Sequence, residues 1–298
     1  MPDTIVVKGQ GGLPYSKGLM AQSLSAAGVA PERAYEVARA LEARLDEAGR
    51  AEIAVGELRE LAAAVLRERE GEDAAQRFLD WEDLDRLDRP LVVLLGGAPG
   101  VGKSTLATLL ASRIGITRVI ATDAIRHVIR AFFSQDFMPA VHYSSFEAGA
   151  VLDPPPGMEG DRDIAGYLRQ VESVRTGAAA ILERALQEGS AMILEGVHLV
   201  PGTVGSRVGE QCVLVEAVIA IDDEEAHRSH FALRAGSRPA DRYLDRFEQI
   251  RKLQAYLVER AQAAGAPVID GTHMDAALGE MMEIVREAVG RERRRERG

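Results

Sequence analysis

One short stretch constrains this chain more than any other. Leu91-Val92-Val93-Leu94-Leu95 is a continuous apolar run, Gly97-Ala98-Pro99-Gly100-Val101-Gly102-Lys103-Ser104 follows it, and Thr105-Leu106-Ala107-Thr108-Leu109-Leu110-Ala111 comes next. That order predicts strand, loop and helix, the setting in which a G-x-x-x-x-G-K-S loop closes around phosphate. Its glycines let backbone N–H groups turn inward, and the helix N-terminus adds partial positive charge at the same spot. Lys103 has the reach for outer phosphates, and Ser104 is a hydroxyl ligand for Mg²⁺. Residues Gly97, Ala98, Pro99, Gly100, Val101, Gly102, Lys103, Ser104 and Thr105 are therefore the candidate nucleotide cradle.

Strand and helix signals alternate from Leu91 onward. Candidate strands are 91–95, 118–121, 191–195, 213–221 and 267–270, with a helix at 162–187 and an exposed Pro-rich excursion at 153–157 before it. Alternation of this kind predicts an α/β fold, a parallel five-stranded sheet flanked by helices. Residues 1–88 look like a separate, small and mainly helical unit, and 89–298 the larger one. In the small unit 4–8 reads as a strand, 9–12 as a turn, and helices fit 16–27, a segment opened by Pro31, 54–70 and 72–79. Tyr35, Ala38, Leu41 and Leu45 share one face of the Pro31 helix. The charged stretch 81–89, closed by Pro90, reads as the join.

Ligands gather at the C-terminal ends of parallel strands. The second strand runs into Thr122-Asp123-Ala124-Ile125-Arg126. Asp123 there suits a base for an attacking hydroxyl, and the Arg126 fork suits a substrate phosphate or carboxylate. An equally simple reading makes Thr122 or Asp123 a helix N-cap and Arg126 a surface charge. The third strand ends in Glu195-Gly196, an acid closing a core strand, which needs a cation or donors nearby. His198 follows, either as a substrate contact or as a histidine bonded locally in its turn. Arginines at 228, 234, 238 and 242 read as a basic lid or as a solvated helix. His227 and His230 have the spacing of half a metal site, with no third ligand in view.

Composition sets the outer bounds. The chain has 298 residues, 46% of them hydrophobic and only 5% aromatic, so aliphatic side chains must fill the core. Net charge is −10, which disfavours nucleic acid and anionic membrane as partners. The tail from Arg291 is basic, net +3, and reads as a contact for such partners or as the solvated end of a last helix. Cys212, the single cysteine, lies in an apolar run and reads as buried and inert. No apolar run approaches a membrane span, which makes the cytoplasm the expected compartment. A homo-oligomer is compatible with all of this.

The stretch from Leu91 to Asp270 resembles the 2-phosphoglycerate kinase family, known from archaea. The resemblance is carried by Gly96-Gly97 to Thr105, Thr122 to Arg126 with Arg130, and Ser144-Ser145-Phe146. It continues through Leu194-Glu195-Gly196-Val197-His198-Leu199-Val200-Pro201-Gly202, Arg238, Arg242-Tyr243-Leu244 and Ile250-Arg251-Lys252-Leu253-Gln254. Ala98-Pro99 departs from the family, where small hydroxylated residues are more usual. Residues 4–86 resemble an ATP-cone domain, although Gly9-Gln10-Gly11-Gly12 departs from its shorter, more acidic turn.

The resemblance implies a P-loop kinase using ATP and Mg²⁺, with 2-phosphoglycerate as the phosphorylated acceptor and 2,3-bisphosphoglycerate and ADP as products. Lys103, Asp123, Arg126, Arg238 and Arg242 would be catalytic. Arg126, Arg130, Ser144, Ser145 and His198 would bind acceptor, and Ser104 and Glu195 the metal. Two other readings share these motifs: a kinase for another phosphorylated polyol such as an inositol phosphate, and a nucleotide-switched binding protein.

Overall fold

The structure is a computed structural model and describes residues 6–8, 13–49, 52–82, 87–152, 161–205, 209–233 and 240–297. The chain divides into two compact units. One comprises Met1–Asp88, Arg113–Gly115 and Arg286–Gly298, the other Arg89–Ser112 and Ile116–Val285.

In the first unit, β1 (Val6–Lys8) pairs antiparallel with β2 (Leu13–Pro14) and parallel with β3 (Glu52–Ala54). The sequence reading had no strand at β3, whose three residues are too few to show a period. Helices α1 (Lys17–Ala26), α2 (Pro31–Glu47), α3 (Val55–Glu70) and α4 (Glu72–Glu82) supply the rest. The Ser16 hydroxyl caps α1 by accepting from the Leu19 N–H, and Pro31 opens α2 where its missing N–H costs nothing. The buried face of α2 is Ala34, Val37, Ala38, Leu41 and Leu45. Tyr35, expected on that face, is 48% exposed; Val37, not Tyr35, completes the apolar stripe. The turn expected at 9–12 lies outside the described residues.

The second unit holds β4 (Leu91–Gly96), α5 (Lys103–Ile114), β5 (Val119–Ala121), α6 (Thr122–Phe132), α7 (Arg162–Gln187), β6 (Met192–Glu195) and β7 (Val213–Ala220). It continues with α8 (Glu224–Leu233), α9 (Ala240–Leu244), α10 (Phe247–Ala264), β8 (Val268–Asp270) and the start of α11 (Met274–Arg297). The five strands run parallel in the order β5-β6-β4-β7-β8, as the alternation predicts. Central β4 is buried at every residue. Val92, Leu94, Met192 and Leu194 pack on Ile125 of α6 and on Val174, Ala178 and Leu182 of α7. Cys212 lies in this core, where burial pushes its thiol up to about 11. The excursion expected at 153–157 lies outside the described residues. The basic tail is helical to Arg297. Among the described residues no helix is long and apolar enough to cross a membrane.

Candidate active site

Sheet register brings the predicted site residues to one edge. Leu95 and Ala121 both lie opposite Glu195, so the phosphate loop after β4, the acid ending β6 and the start of α6 converge. A cleft of about 620 Å³ opens there. Pro99, Gly100, Lys103, Ser104, Asp123, Arg126, Arg130, Ser144, Ser145, Glu195 and Arg242 are among its lining residues.

The loop backbone explains its glycines. Gly97 and Gly100 have φ of 145° and 90°. A Cβ on Gly97 would lie 2.5 Å from the Ile219 carbonyl, and one on Gly100 would strike the Phe231 ring. Ala98 and Val101 are fully buried and serve the loop's packing. The Lys103 ammonium donates to the Ala98 carbonyl at 2.7 Å. The Ser104 hydroxyl donates to Glu195 Oε1 at 2.8 Å, and Glu195 is only 5% exposed. A buried carboxylate and a hydroxyl in contact form an all-oxygen donor pair, the kind a hard divalent cation takes.

On the acceptor side, Ala121 is the N-cap of α6 and no side chain caps it. The capping reading of Thr122 and Asp123 is therefore not met: both lie inside the first turn. Asp123 faces the cleft with its side chain 62% exposed, and its Oδ1 accepts from Arg126 Nε at 3.1 Å. The cleft walls alone would push its carboxyl upward. The Arg126 guanidinium, through its charge and its hydrogen bond, and the Lys103 ammonium outweigh them and hold it below the usual range. Arg126 is not a surface charge but 8% exposed; its Nη1 also donates to the carbonyls of Val141 and Tyr143, at 3.0 and 3.1 Å. Arg130 is exposed one turn further on. Arg242 reaches the cleft from α9 and is engaged by both carboxylate oxygens of Glu147, one of them at 3.3 Å from Nε. Arg238 lies outside the described residues.

His198, expected either against substrate or bonded locally in its turn, is 1% exposed and spends both ring nitrogens on distant parts of the protein, 2.9 Å from Thr122 Oγ1 and 2.9 Å from Gln170 Oε1. Gln170 Nε2 donates to the carbonyls of Ala140 and Tyr143, so Gln170 Oε1 must accept from His198 Nε2–H, and His198 Nδ1 accepts the Thr122 hydroxyl proton. Burial drives this histidine down to about 4, against the pull of Asp123 and with the push of Arg126 and Lys103. Gly196 makes the arrangement fit: its φ is 150°, and a Cβ there would overlap the Thr122 hydroxyl. The network ties the turn after β6, the first turn of α6, α7 and the segment 140–143 together.

No protein-family model matches the chain. Its sequence is 38% identical over 280 residues to the 2-phosphoglycerate kinase of Methanococcus maripaludis, spanning 92% of this chain and 89% of that protein. It is 37% identical over 277 residues to the 2-phosphoglycerate kinase of Methanopyrus kandleri, spanning 92% of this chain and 84% of that one. The chain belongs to the 2-phosphoglycerate kinase family. Matches of that length reach into the first unit as well as the second. A solved shikimate kinase from Bacteroides thetaiotaomicron is similar at 14% identity and a TM-score of 0.40, covering 65% of this chain and 98% of that one.

Two contacts of this 2-phosphoglycerate kinase family member were not legible beforehand. Gln170 sits mid-helix in α7, where nothing in its neighbours marks it as polar and buried. His227 and His230, whose spacing alone would suit half a metal site, face the phosphate loop: His227 Nε2 lies 2.9 Å from the Pro99 carbonyl and His230 Nδ1 3.0 Å from the Gly100 carbonyl. Among the described residues no group of three or more His, Cys, Asp or Glu forms a metal cluster.

Proposed function

We propose that this chain transfers the γ-phosphoryl group of ATP to the free hydroxyl of 2-phosphoglycerate, giving 2,3-bisphosphoglycerate and ADP. The observation that supports this most strongly is the meeting, in one cleft, of a phosphate loop with an uncapped carboxylate and buried arginine on the opposite wall. A nucleotide switch needs the loop but has no use for Asp123 and Arg126 placed across from it. The relatives' name, 2-phosphoglycerate kinase, points to the acceptor.

In this reading the loop N–H groups and Lys103 hold the β- and γ-phosphates, Lys103 leaving the Ala98 carbonyl to do so. Ser104 and Glu195 would hold Mg²⁺, which when bound neutralises phosphate charge. Arg126 and Arg130 face the acceptor's carboxylate and phosphate, with Ser144 and Ser145 as neutral donors. Asp123 accepts the hydroxyl proton as the new O–P bond forms and the bond from the γ-phosphorus to the bridging oxygen breaks, releasing ADP. Arg242, and Arg238 with it, supply charge to the transferring group. Asp123 suits the role because it stays ionised at neutral pH, and His198 because it stays neutral and leaves Thr122 and Gln170 in place.

We assign the first unit the ATP-cone-like regulatory role that its strand and helix order supports. Its cavity of about 860 Å³ is rimmed by Glu47, Glu57 and Glu60 against Arg44. Three carboxylates against one guanidinium make that rim a poor match for a triphosphate. The transfer is tested by ADP release from MgATP against a panel of phosphorylated three-carbon acids and inositol phosphates. Turnover confined to 2-phosphoglycerate supports the reading; turnover confined to a polyol phosphate overturns the acceptor.

A further inference from the structure

A phosphate loop that turns its N–H groups inward must turn its carbonyls outward. Three successive carbonyls of this loop each meet a side-chain nitrogen: Ala98 meets Lys103, Pro99 meets His227 and Gly100 meets His230. A carbonyl only accepts, so His227 carries its proton on Nε2 and His230 carries its own on Nδ1. The two histidines, three residues apart on one face of α8, are held in opposite tautomers by one loop.

No peptide bond in the described chain is cis. In a trans peptide the C=O and the following N–H point in opposite directions. The peptide after Ala98 has no N–H to aim, because Pro99 is proline. The next two do. Holding the Pro99 carbonyl aims the Gly100 N–H away from α8, and holding the Gly100 carbonyl aims the Val101 N–H the same way. Gly100, at φ 90°, is also where a peptide plane flips most freely, since glycine is at home on both sides of the map. The pair therefore pins the two peptide planes on either side of Gly100, whose N–H groups would serve phosphate in the kinase reading.

The surroundings fit this task better than simple packing. His227 is fully buried, stacked on Phe231 at 5.5 Å and edge-on to Phe247 at 5.3 Å. Its Nδ1 has no hydrogen-bond partner. An aliphatic side chain would fill that aromatic slot without an orphaned nitrogen; what histidine adds is the single N–H on Pro99. Phe231, one turn on, lies against Gly100 and completes the template.

We propose that His227 and His230 are positioning residues that preorganise the phosphate loop for ATP. The inference rests on the kinase reading above. It is tested by calorimetric binding of MgATP to the full chain, with KM for both substrates, in His230→Leu, His230→Asn, His227→Leu and His227→Gln. Asn places an amide N–H near Nδ1 of the histidine it replaces, and Gln places one near Nε2. Each Leu variant should weaken ATP about tenfold while leaving the acceptor KM within about twofold, and each amide variant should recover most of the loss. His230 is only partly buried, so its variants report even if His227→Leu fails to fold. Folded His230→Leu with wild-type ATP affinity, or His230→Asn as weak as His230→Leu, overturns the inference alone. Wild-type protein that does not bind MgATP overturns the kinase reading and the inference with it.

Discussion

The Ser104 hydroxyl and the Glu195 carboxylate meet at 2.8 Å although 91 positions separate them in the chain. Parallel pairing of β4 with β6 produces the contact: Leu95 sits opposite Glu195, and the helix that starts at Lys103 brings Ser104 back over the strand ends. Glu195 is buried, so a cation held by the pair would feel its carboxylate with little screening by water.

Glu195→Gln keeps an acceptor for Ser104 and removes the charge. It should raise the Mg²⁺ concentration for half-maximal activity and lower kcat at least tenfold, with the fold intact. Titration of activity with Mg²⁺ checks this. An unchanged Mg²⁺ curve would remove Glu195 from the metal site.

Asp123→Asn separates base from cap. Asn caps helices as well as Asp, and the structure gives α6 no side-chain cap to lose. As the acceptor-side base, Asp123 should cost about 100-fold or more in kcat on replacement, with ATP affinity nearly unmoved. Steady-state kinetics with a direct ATP-binding measurement decides it; kcat within twofold of wild type contradicts the role.

Lys103→Ala should leave melting temperature close to wild type, because the ammonium hydrogen-bonds one loop carbonyl rather than filling the core. Transfer should slow by about 100-fold or more, the scale of one lost charge clamp. Turnover at the wild-type rate would refute the nucleotide site.

Stability should fall on acidification between pH 6.5 and 4. His198 and His227 are each held down to about 4 by burial, against about 6.5 unfolded. Above 6.5 both states are neutral and the native state bears no penalty. As pH drops through that window the unfolded chain takes up protons the native state refuses, costing on the order of 2 kcal/mol per histidine at pH 4.5. Urea unfolding at pH 7.5 and 4.5 compares wild type with His227→Gln, so that the carboxylates cancel. The variant should lose on the order of 2 kcal/mol less than wild type across the window; equal losses would contradict the buried-neutral state.

Much of this was readable before the fold was known, for physical reasons. The phosphate loop is a local device, so Gly97 to Ser104 announces it in eight residues. Strands β4 and β6 are buried at every residue and β7 at all but Leu214 and Glu216, so they read as largely apolar runs, and Glu195 stands out as an acid ending one of them. What failed to show depends on distance in the chain. His198 looked like a site residue because it follows Gly196; only folding reveals that Thr122 and Gln170, 76 and 28 positions away, claim both its nitrogens. His227 and His230 have a ligand's spacing on their helix, and their partners are loop carbonyls 128 and 130 positions away that no side-chain pattern encodes. Short β3 and the Tyr35 face slipped for a simpler reason: three residues carry no period, and a tyrosine is as much at home at a helix edge as in a core.

The most direct test of the account is phosphorus NMR of the wild-type protein with MgATP and 2-phosphoglycerate. ATP signals should give way to ADP and to the two phosphate resonances of 2,3-bisphosphoglycerate in equal amounts, with no inorganic phosphate. Loss of ATP to ADP and inorganic phosphate with 2-phosphoglycerate left intact, or no change at all, would contradict it.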